Sequence, residues 1–285
     1  MRYFLLIAIV FVSLCVEIPF LQIPNTFLPQ NKTVQGIEIS NEDIYVNINV
    51  LPAEVMEGRN ITIMFQVMNK ASYNLENVKL NLYDPCVFSG SGTEKVIGTL
   101  RPNQTNSSSL VLKAGSVTLP RDCEMKFRVE YEGKFSLSQD IAVLTEPEYN
   151  VRLLQGTLKS VPIGSLSSIS PLKISLTLTQ EQPLLSETTT DMEINYIYIG
   201  DGFINVTSVV IKVPDNLQYL SCTDYTYAGG TLSLNKALKF INKRANPSIC
   251  TFKTKANSPM DIESLFLTAR YKYILDNSIT VRVKE

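Results

Sequence analysis

The chain of 285 residues contains no histidine and no tryptophan. Without histidine it has neither the commonest general base nor the commonest metal ligand. Ser-His-Asp triads, Cys-His dyads and HExxH zinc sites are therefore excluded. Without tryptophan it lacks the strongest cation–π and stacking platform, leaving thirteen tyrosines as the aromatic alternative. Charge is also scarce. Charged residues make up 19 % of the chain and the net charge is −1. No polybasic arm or patch is available to neutralise phosphates, so nucleic acid is excluded as a partner class.

Chemistry-bearing motifs are missing too. The Ser89-Gly90-Ser91-Gly92 run is not a G-x-S-x-G nucleophile elbow. No Asp-Thr/Ser-Gly turn occurs. Gly200-Asp201-Gly202 reads as a hairpin turn rather than a metal loop. Glu146 and Glu148 flank Pro147, which fits a solvated joint better than a glycosidase pair. Asn41-Glu42-Asp43 offers oxygens without the spacing of a calcium loop. Residue type and spacing thus point to a non-enzymatic protein without cofactor or metal. A hydrolase built from Asp/Glu or Ser/Lys is the outlying alternative.

The chain opens with Met1-Arg2, followed by an apolar run from Tyr3 to Val16 that Glu17 ends. Fourteen helical residues reach roughly 21 Å, short of a hydrocarbon core of about 30 Å. That length suits the hydrophobic region of a signal peptide, with Ser13 and Cys15 as the small residues before a cut. An uncleaved anchor over 1–17 is the competing reading. In both cases the positive start leaves the body outside, so the expected location is extracellular or at the cell surface. A lipoprotein cysteine at Cys15 is disfavoured by the bulky Leu14. Residues 18–36 hold three prolines and several Asn and Gln, and read as a linker. They could alternatively be an apolar strand donated to a neighbouring subunit of a filament.

From Ile37 onward the period is two. Ile61, Ile63, Phe65 and Val67 form one stripe, Val78, Leu80 and Leu82 another, and Met125, Phe127, Val129 and Tyr131 a third. Leu172–Leu178, Met192–Tyr198, Val209–Val213 and Ile279–Val283 continue the pattern. Alternation of this kind buries one face of a strand and wets the other. Short strands separated by polar turns imply an all-β fold of two tandem β-sandwich domains, over 37–145 and 150–285, joined at Glu146-Pro147-Glu148. Each half has two cysteines and then a tyrosine-bearing strand, VEY at 129–131 and RYKY at 270–273, which reads as a repeat. One helix is expected in the second half, because Leu234, Ala237, Leu238 and Ile241 follow helical spacing after Ser233 as N-cap.

Five cysteines become four after loss of the leader. Four allow three pairings. One bridge per half, Cys86 with Cys123 and Cys222 with Cys250, is the economical choice in an oxidising compartment. Asn31, Asn60, Asn103, Asn106 and Asn205 head N-x-S/T sequons and are candidate glycosylation sites. Tyr219, Tyr225 and Tyr227, beside Gly229-Gly230, form a candidate recognition loop, since tyrosines bring contact area at modest entropy cost.

The run from Val46, VNINVLPAEVMEGRNITIMFQVMNKASYNLENVKLNLYD, has a strand, a proline, an acid-Gly turn, an alternating strand ending in Asn, and a further turn and strand. The stretch from Val46 to Val143 resembles the CARDB-type (cell-adhesion-related) immunoglobulin-like domains of archaeal and bacterial surface proteins. The resemblance, carried to the second half by the repeat, implies that the two sandwiches are immunoglobulin-like, with a spacer, adhesive or envelope-structural role. The expected partners are a protein or glycan at the cell surface or further copies of the chain, with membrane contact only through an uncleaved leader. Intact-mass measurement of native protein should show four thiols only after reductant is added. Free thiols in the untreated protein would contradict the bridges.

Overall fold

A computed structural model describes residues 35–285. The leader, most of the linker and the Asn31 sequon lie outside the described residues. Strands are numbered in chain order. A five-stranded antiparallel sheet contains β1 (Gln35–Ser40), β2 (Ile44–Leu51), β4 (Asn60–Asn69), β8 (Thr105–Ala114) and β6 (Phe88–Ser89), neighbouring in that order. The 35–36 end of the expected linker is therefore already strand. A four-stranded sheet contains β11 (Leu172–Leu178), β13 (Thr189–Tyr198), β18 (Arg244–Thr254) and β15 (Leu217–Cys222).

The third and largest sheet is built on β9 (Arg121–Leu144) and β19 (Met260–Lys284). All 24 residues of β9 have an antiparallel partner on β19, from Arg121 opposite Val283 to Leu144 opposite Met260. Ordinary strands run three to ten residues, so this ribbon is exceptional, roughly 80 Å if fully extended. At its lower half β9 continues sideways into β5 (Leu75–Asp84) and β7 (Glu94–Leu100). At the upper half β19 continues into β14 (Phe203–Lys212), β17 (Thr231–Leu234) and β16 (Tyr225–Ala228). Short strands finish the edges: β10 (Ser165–Ser167) and β12 (Leu184–Leu185) lie on β9, and β3 (Glu54–Met56) on β19.

The alternation expected from sequence is present, and it never changes phase along the ribbon. Cys123, Met125, Phe127, Val129, Tyr131, Phe135, Leu137, Ile141 and Val143 of β9 are all buried. So are Leu265, Leu267, Ala269, Tyr271, Tyr273, Leu275, Ile279, Val281 and Val283 of β19. A strand turns alternate side chains to opposite faces, so this odd-numbered set, interrupted at the half-buried Gln139 and Asn277, lies on one face; at the upper end of β9 Ala142 and Leu144 are buried on the other face as well. The five-stranded sheet supplies Val46, Ile48, Ile63 and Phe65 to this core, and the four-stranded sheet supplies Ile174, Met192, Ile194 and Phe252. The two sandwich-like halves therefore share one sheet and one continuous core. They are not strung on a linker. The tyrosine-bearing strands read as repeat equivalents are register partners, with Tyr131 opposite Tyr273.

Both expected bridges are present. Cys86–Cys123 ties the turn after β5 to the lower end of β9, and Cys222–Cys250 crosses between β15 and β18. They close separations of 37 and 28 residues, for which chain-entropy arguments give about 3.5–4 kcal/mol each.

Three local expectations need correction. The helix expected after Ser233 is absent: Thr231–Leu234 is strand, Asn235 to Phe240 is irregular, and Ile241 is exposed. Asn235 explains this, since its N–H binds the Asp224 carbonyl and its side chain binds Thr226, which extends the β16–β17 hairpin. The helix lies instead at Glu146–Gln155 (α1), where a joint was expected. Pro147 occupies the first turn, where no N–H is needed. Glu146 and Glu148 complement the positive end, and Gly156 at φ 69° caps the C-terminus. Gly200-Asp201-Gly202 is not a hairpin turn. It carries the chain from β13 in the four-stranded sheet to β14 in the large one.

Gly133 sits where the ribbon passes from one half to the other. A Cβ built there would lie 2.6 Å from ring atoms of the buried Tyr271, its cross-strand partner. Gly133→Ala should lower stability by about 1–3 kcal/mol, the range for overpacking, measured by denaturant unfolding. An unchanged midpoint would show that the Tyr271 ring is free to move.

Candidate functional site

Two places gather polar side chains on this scaffold. The first is the waist around Gly133. The turn from β1 to β2 brings Asn41 and Asp43 down onto the ribbon. Asn41 Oδ1 accepts the N–H groups of Asp43 and Ile44, which fixes the turn, and its amide donates to Tyr131 Oη at 2.8 Å. Asp43 has no solvent exposure. Its Oδ1 lies 2.7 Å from Tyr73 Oη and its Oδ2 2.5 Å from Tyr271 Oη, while the two phenol oxygens are 2.9 Å apart. Tyr131 and Tyr273 stack beside them with ring centroids 5.6 Å apart.

These three contacts among Asp43, Tyr73 and Tyr271 set a proton count. Two phenolic protons can serve two of them. Below the Asp43 pKa a carboxylic acid proton serves the third and closes the ring of donors and acceptors. Burial acts in the same direction, pushing the Asp43 pKa up to about 6 against the hydrogen bonds of Tyr271, Tyr73 and Tyr131. Asn41-Glu42-Asp43, read from the sequence only as oxygens without calcium-loop spacing, is a turn whose Asn41 and Asp43 are buried. The signal was the tyrosine spacing in VEY and RYKY, but nothing in one sequence says that both strands meet one aspartate.

On the flank of this cluster a cleft of about 520 Å³ opens, walled by Tyr73, Tyr271 and the charged side chains of Glu76, Glu132, Lys134 and Arg270. None of these four charges forms an ion pair among the described residues. The neighbouring charges on the same sheet do so, as in Arg128–Asp276 and Lys272–Glu130.

The second place is toward the upper end of the ribbon, where β15 at the edge of the four-stranded sheet approaches β16 at the edge of the large one. Tyr219 and Tyr227 stack there at 4.4 Å between centroids and 10° between planes. Tyr227 is placed by the two-residue Gly229-Gly230 turn joining β16 to β17. Both glycines have positive φ, 54° and 77°, as such a turn demands. The pair borders a cleft of about 460 Å³ whose other polar side chains are Asp215, Gln218 and Lys255. Tyr225, the third tyrosine expected in a recognition loop, is a core residue: its side chain is buried and its hydroxyl meets Tyr196 Oη at 2.8 Å. Tyr225 and Tyr227 are two positions apart and so share one face of β16, Tyr225 over the core and Tyr227 at its rim.

The sequons are scattered over the surface. Asn60 begins β4 and is exposed, Asn103 is exposed in a turn at φ 59°, Asn205 is exposed on β14, and Asn106 on β8 is half-buried. Among the described residues no three acidic or sulfur ligands converge on a metal position.

No family model matches this sequence, and no curated protein matches it. The resemblance to CARDB-type domains is therefore without a matching family model. Among solved structures, the collagen adhesin of S. aureus aligns over 87 % of this chain and 93 % of its own, at 10 % identity and a TM-score of 0.13. A score that low carries no argument about fold or function.

The waist gives a pH test. The ordinary Asp pKa is near 3.8 and the folded value is about 6, so the folded protein binds more protons between those values. Stability from this group is therefore greatest at low pH and falls as pH rises from about 4 to about 6. The total loss is about 3 kcal/mol for two pKa units, and the effect is level above that. Comparing wild type with Asp43→Asn across pH 4–7 removes the background of other carboxylates. The stability difference should shift in favour of the variant by about that amount, and parallel curves would contradict it.

Proposed function

We propose that the chain is a non-enzymatic extracellular module that holds a recognition cleft away from its point of attachment. The carrying observation is the placement of its ends. Gln35 lies opposite Val50, next to the segment where Ala53 accepts a hydrogen bond from Arg282, and Glu285 follows at the same end of the ribbon. The chain thus enters and leaves the described structure at the lower end. The cleft bordered by Tyr219 and Tyr227 is toward the upper end. A ribbon of 24 paired residues holds the distance between them, and no hinge sequence interrupts it.

Other features support the same reading. The two disulfides suit an oxidising space outside the cytoplasm, where the apolar leader would deliver the chain. The absence of histidine leaves the usual acid–base chemistry without its residue. Long charged and apolar faces shared across one sheet suit a spacer that resists bending. A protein or glycan at the cell surface is the partner class.

Self-assembly through a donated strand is the second reading. The outer side of β1 is an edge to which no strand pairs among the described residues, and it directly follows the 18–34 stretch. Deleting residues 18–34 should abolish self-association under this reading and leave it unchanged under the first.

The direct test uses fluorescent beads coated with the full chain and incubated with envelopes of the source cell. Binding should be saturable and fall at least ten-fold when Tyr219 and Tyr227 are both changed to Ala. Equal binding by wild type and variant would contradict a recognition role for the cleft.

A further inference from the structure

We infer that the cleft beside the stacked Tyr219–Tyr227 pair is a saccharide site that takes a pyranose ring. This rests on the reading of the upper end as the recognition end, and it names the ligand class.

The first argument is the chemistry of the lining. Behind the cleft stand the buried side chains of Val213 and Leu217, which anchor its wall to the core. Facing it are a carboxylate (Asp215), a primary amide (Gln218), an ammonium (Lys255) and two phenols. Such a set can accept from and donate to a ring of hydroxyls spaced around a sugar. It offers few aliphatic groups to an apolar peptide side chain, which would need a drier pocket.

The second argument is that these groups are unused. The Asp215 main chain is engaged, its N–H donating to Glu263 at 2.7 Å, but its carboxylate has no partner among the described residues. The Gln218 amide, the Lys255 ammonium and the Tyr219 and Tyr227 hydroxyls likewise make no hydrogen bond or ion pair among the described residues. Some surface charges are paired, as Lys253 with Glu187 and Lys236 with Asp224 are, and others, such as the four at the waist cleft, are not paired among the described residues. Five unengaged polar side chains around one concavity of about 460 Å³ leave a full set of donors and acceptors for a hydroxylated ligand.

The third argument is the aromatic face. Stacking consumes one face of each tyrosine. Tyr219 is held from the side by Phe252 at 6.4 Å in an edge contact, so the stack is fixed in place by the core. Tyr227 remains 37 % exposed, and only one face of its ring is taken up by the stack. A pyranose has one face lined by C–H groups, which packs on such a ring while its hydroxyls reach outward to Asp215, Gln218 and Lys255. The β16–β17 pairing fixes the backbone that carries the ring and the stack with Tyr219 orients it, which lowers the conformational freedom lost on binding.

The test is saturation-transfer NMR on the full-length protein with the methyl glycosides of glucose, galactose, mannose and N-acetylglucosamine. At least one should receive saturation at its ring C–H protons. The signal should disappear in Tyr227→Ala and persist in Tyr227→Phe, which keeps the face and loses only the hydroxyl. Gln218→Ala, whose side chain has no internal partner and so should leave folding unchanged, should weaken binding of the responding glycoside at least five-fold. Silence from all four probes, or equal signals in wild type and Tyr227→Ala, overturns the assignment. If bead binding still depends on the tyrosines while the four probes are silent, the saccharide assignment falls and the recognition end stands. If bead binding is independent of the tyrosines as well, both fall.

Discussion

The backbone hydrogen bonds between β9 and β19 hold the rest of this molecule in position. Each sandwich-like half is closed by its own second sheet, but both second sheets press on one ribbon. The ribbon is not confined to either half. Because side chains alternate with period two, the ribbon could serve both halves only if its phase never slipped. One extra residue anywhere along β9 would turn the upper core outward. The odd-numbered burial from Cys123 to Val143 and from Leu265 to Val283 is that constraint made visible. Irregularities occur elsewhere: β14 slips register against β19 between Val206 and Ser208, and β5 slips against β9. The β9–β19 pairing itself has none.

A ribbon this long must cross from one covering sheet to the other, and the crossing is a problem of packing. At the crossing the shared core is lined by tyrosines, which carry a large apolar ring and a polar tip. Tyr131 and Tyr273 face each other, Tyr271 lies over Gly133, and Tyr73 comes in from the β4–β5 connection. Phenols inside a core require partners: Asp43 accepts from Tyr73 and Tyr271, Asn41 donates to Tyr131, and the Ile199 carbonyl accepts from Tyr273, at the cost of placing a carboxyl in the interior. The result ties the β1–β2 turn of the lower half to the point where the upper half begins. The buried waist is thus polar for a structural reason, whereas the five polar side chains of the upper cleft make no hydrogen bond or ion pair among the described residues.

Much of the all-β architecture could be read from the chain itself. Stripes such as Ile61–Val67 and Leu172–Leu178 reveal strands because burial on one face needs no knowledge of the partner. The cysteine pairing was readable because each half holds two. Partnership between strands was not readable. Tyr131 and Tyr273 are separated by most of the second half, and period-two patterns are alike in every strand, so two members of one ribbon looked like two copies of one motif. The helix was misplaced for a related reason. Leu234 to Ile241 has helical spacing, but Asn235 is captured by the hairpin. At Glu146-Pro147-Glu148 the capping signals were complete, with Gly156 at the far end, yet α1 buries no side chain and so left no apolar stripe to find. In the upper cleft, Tyr219 and Tyr227 were legible as aromatic residues near a Gly-Gly turn, whereas Asp215 and Lys255 gave no signal, because only the approach of two sheet edges brings them together.

The central claim is that one ribbon makes the two halves a single cooperative body. Native-state hydrogen exchange on the disulfide-intact protein tests this directly, by following the amides of Met125–Tyr131 and those of Phe135–Ile141 across a denaturant series. On this account both sets converge on one opening free energy with one denaturant dependence, because neither half can open without breaking the shared pairing. Two distinct free energies, with one half exchanging through an opening that leaves the other protected, would contradict it.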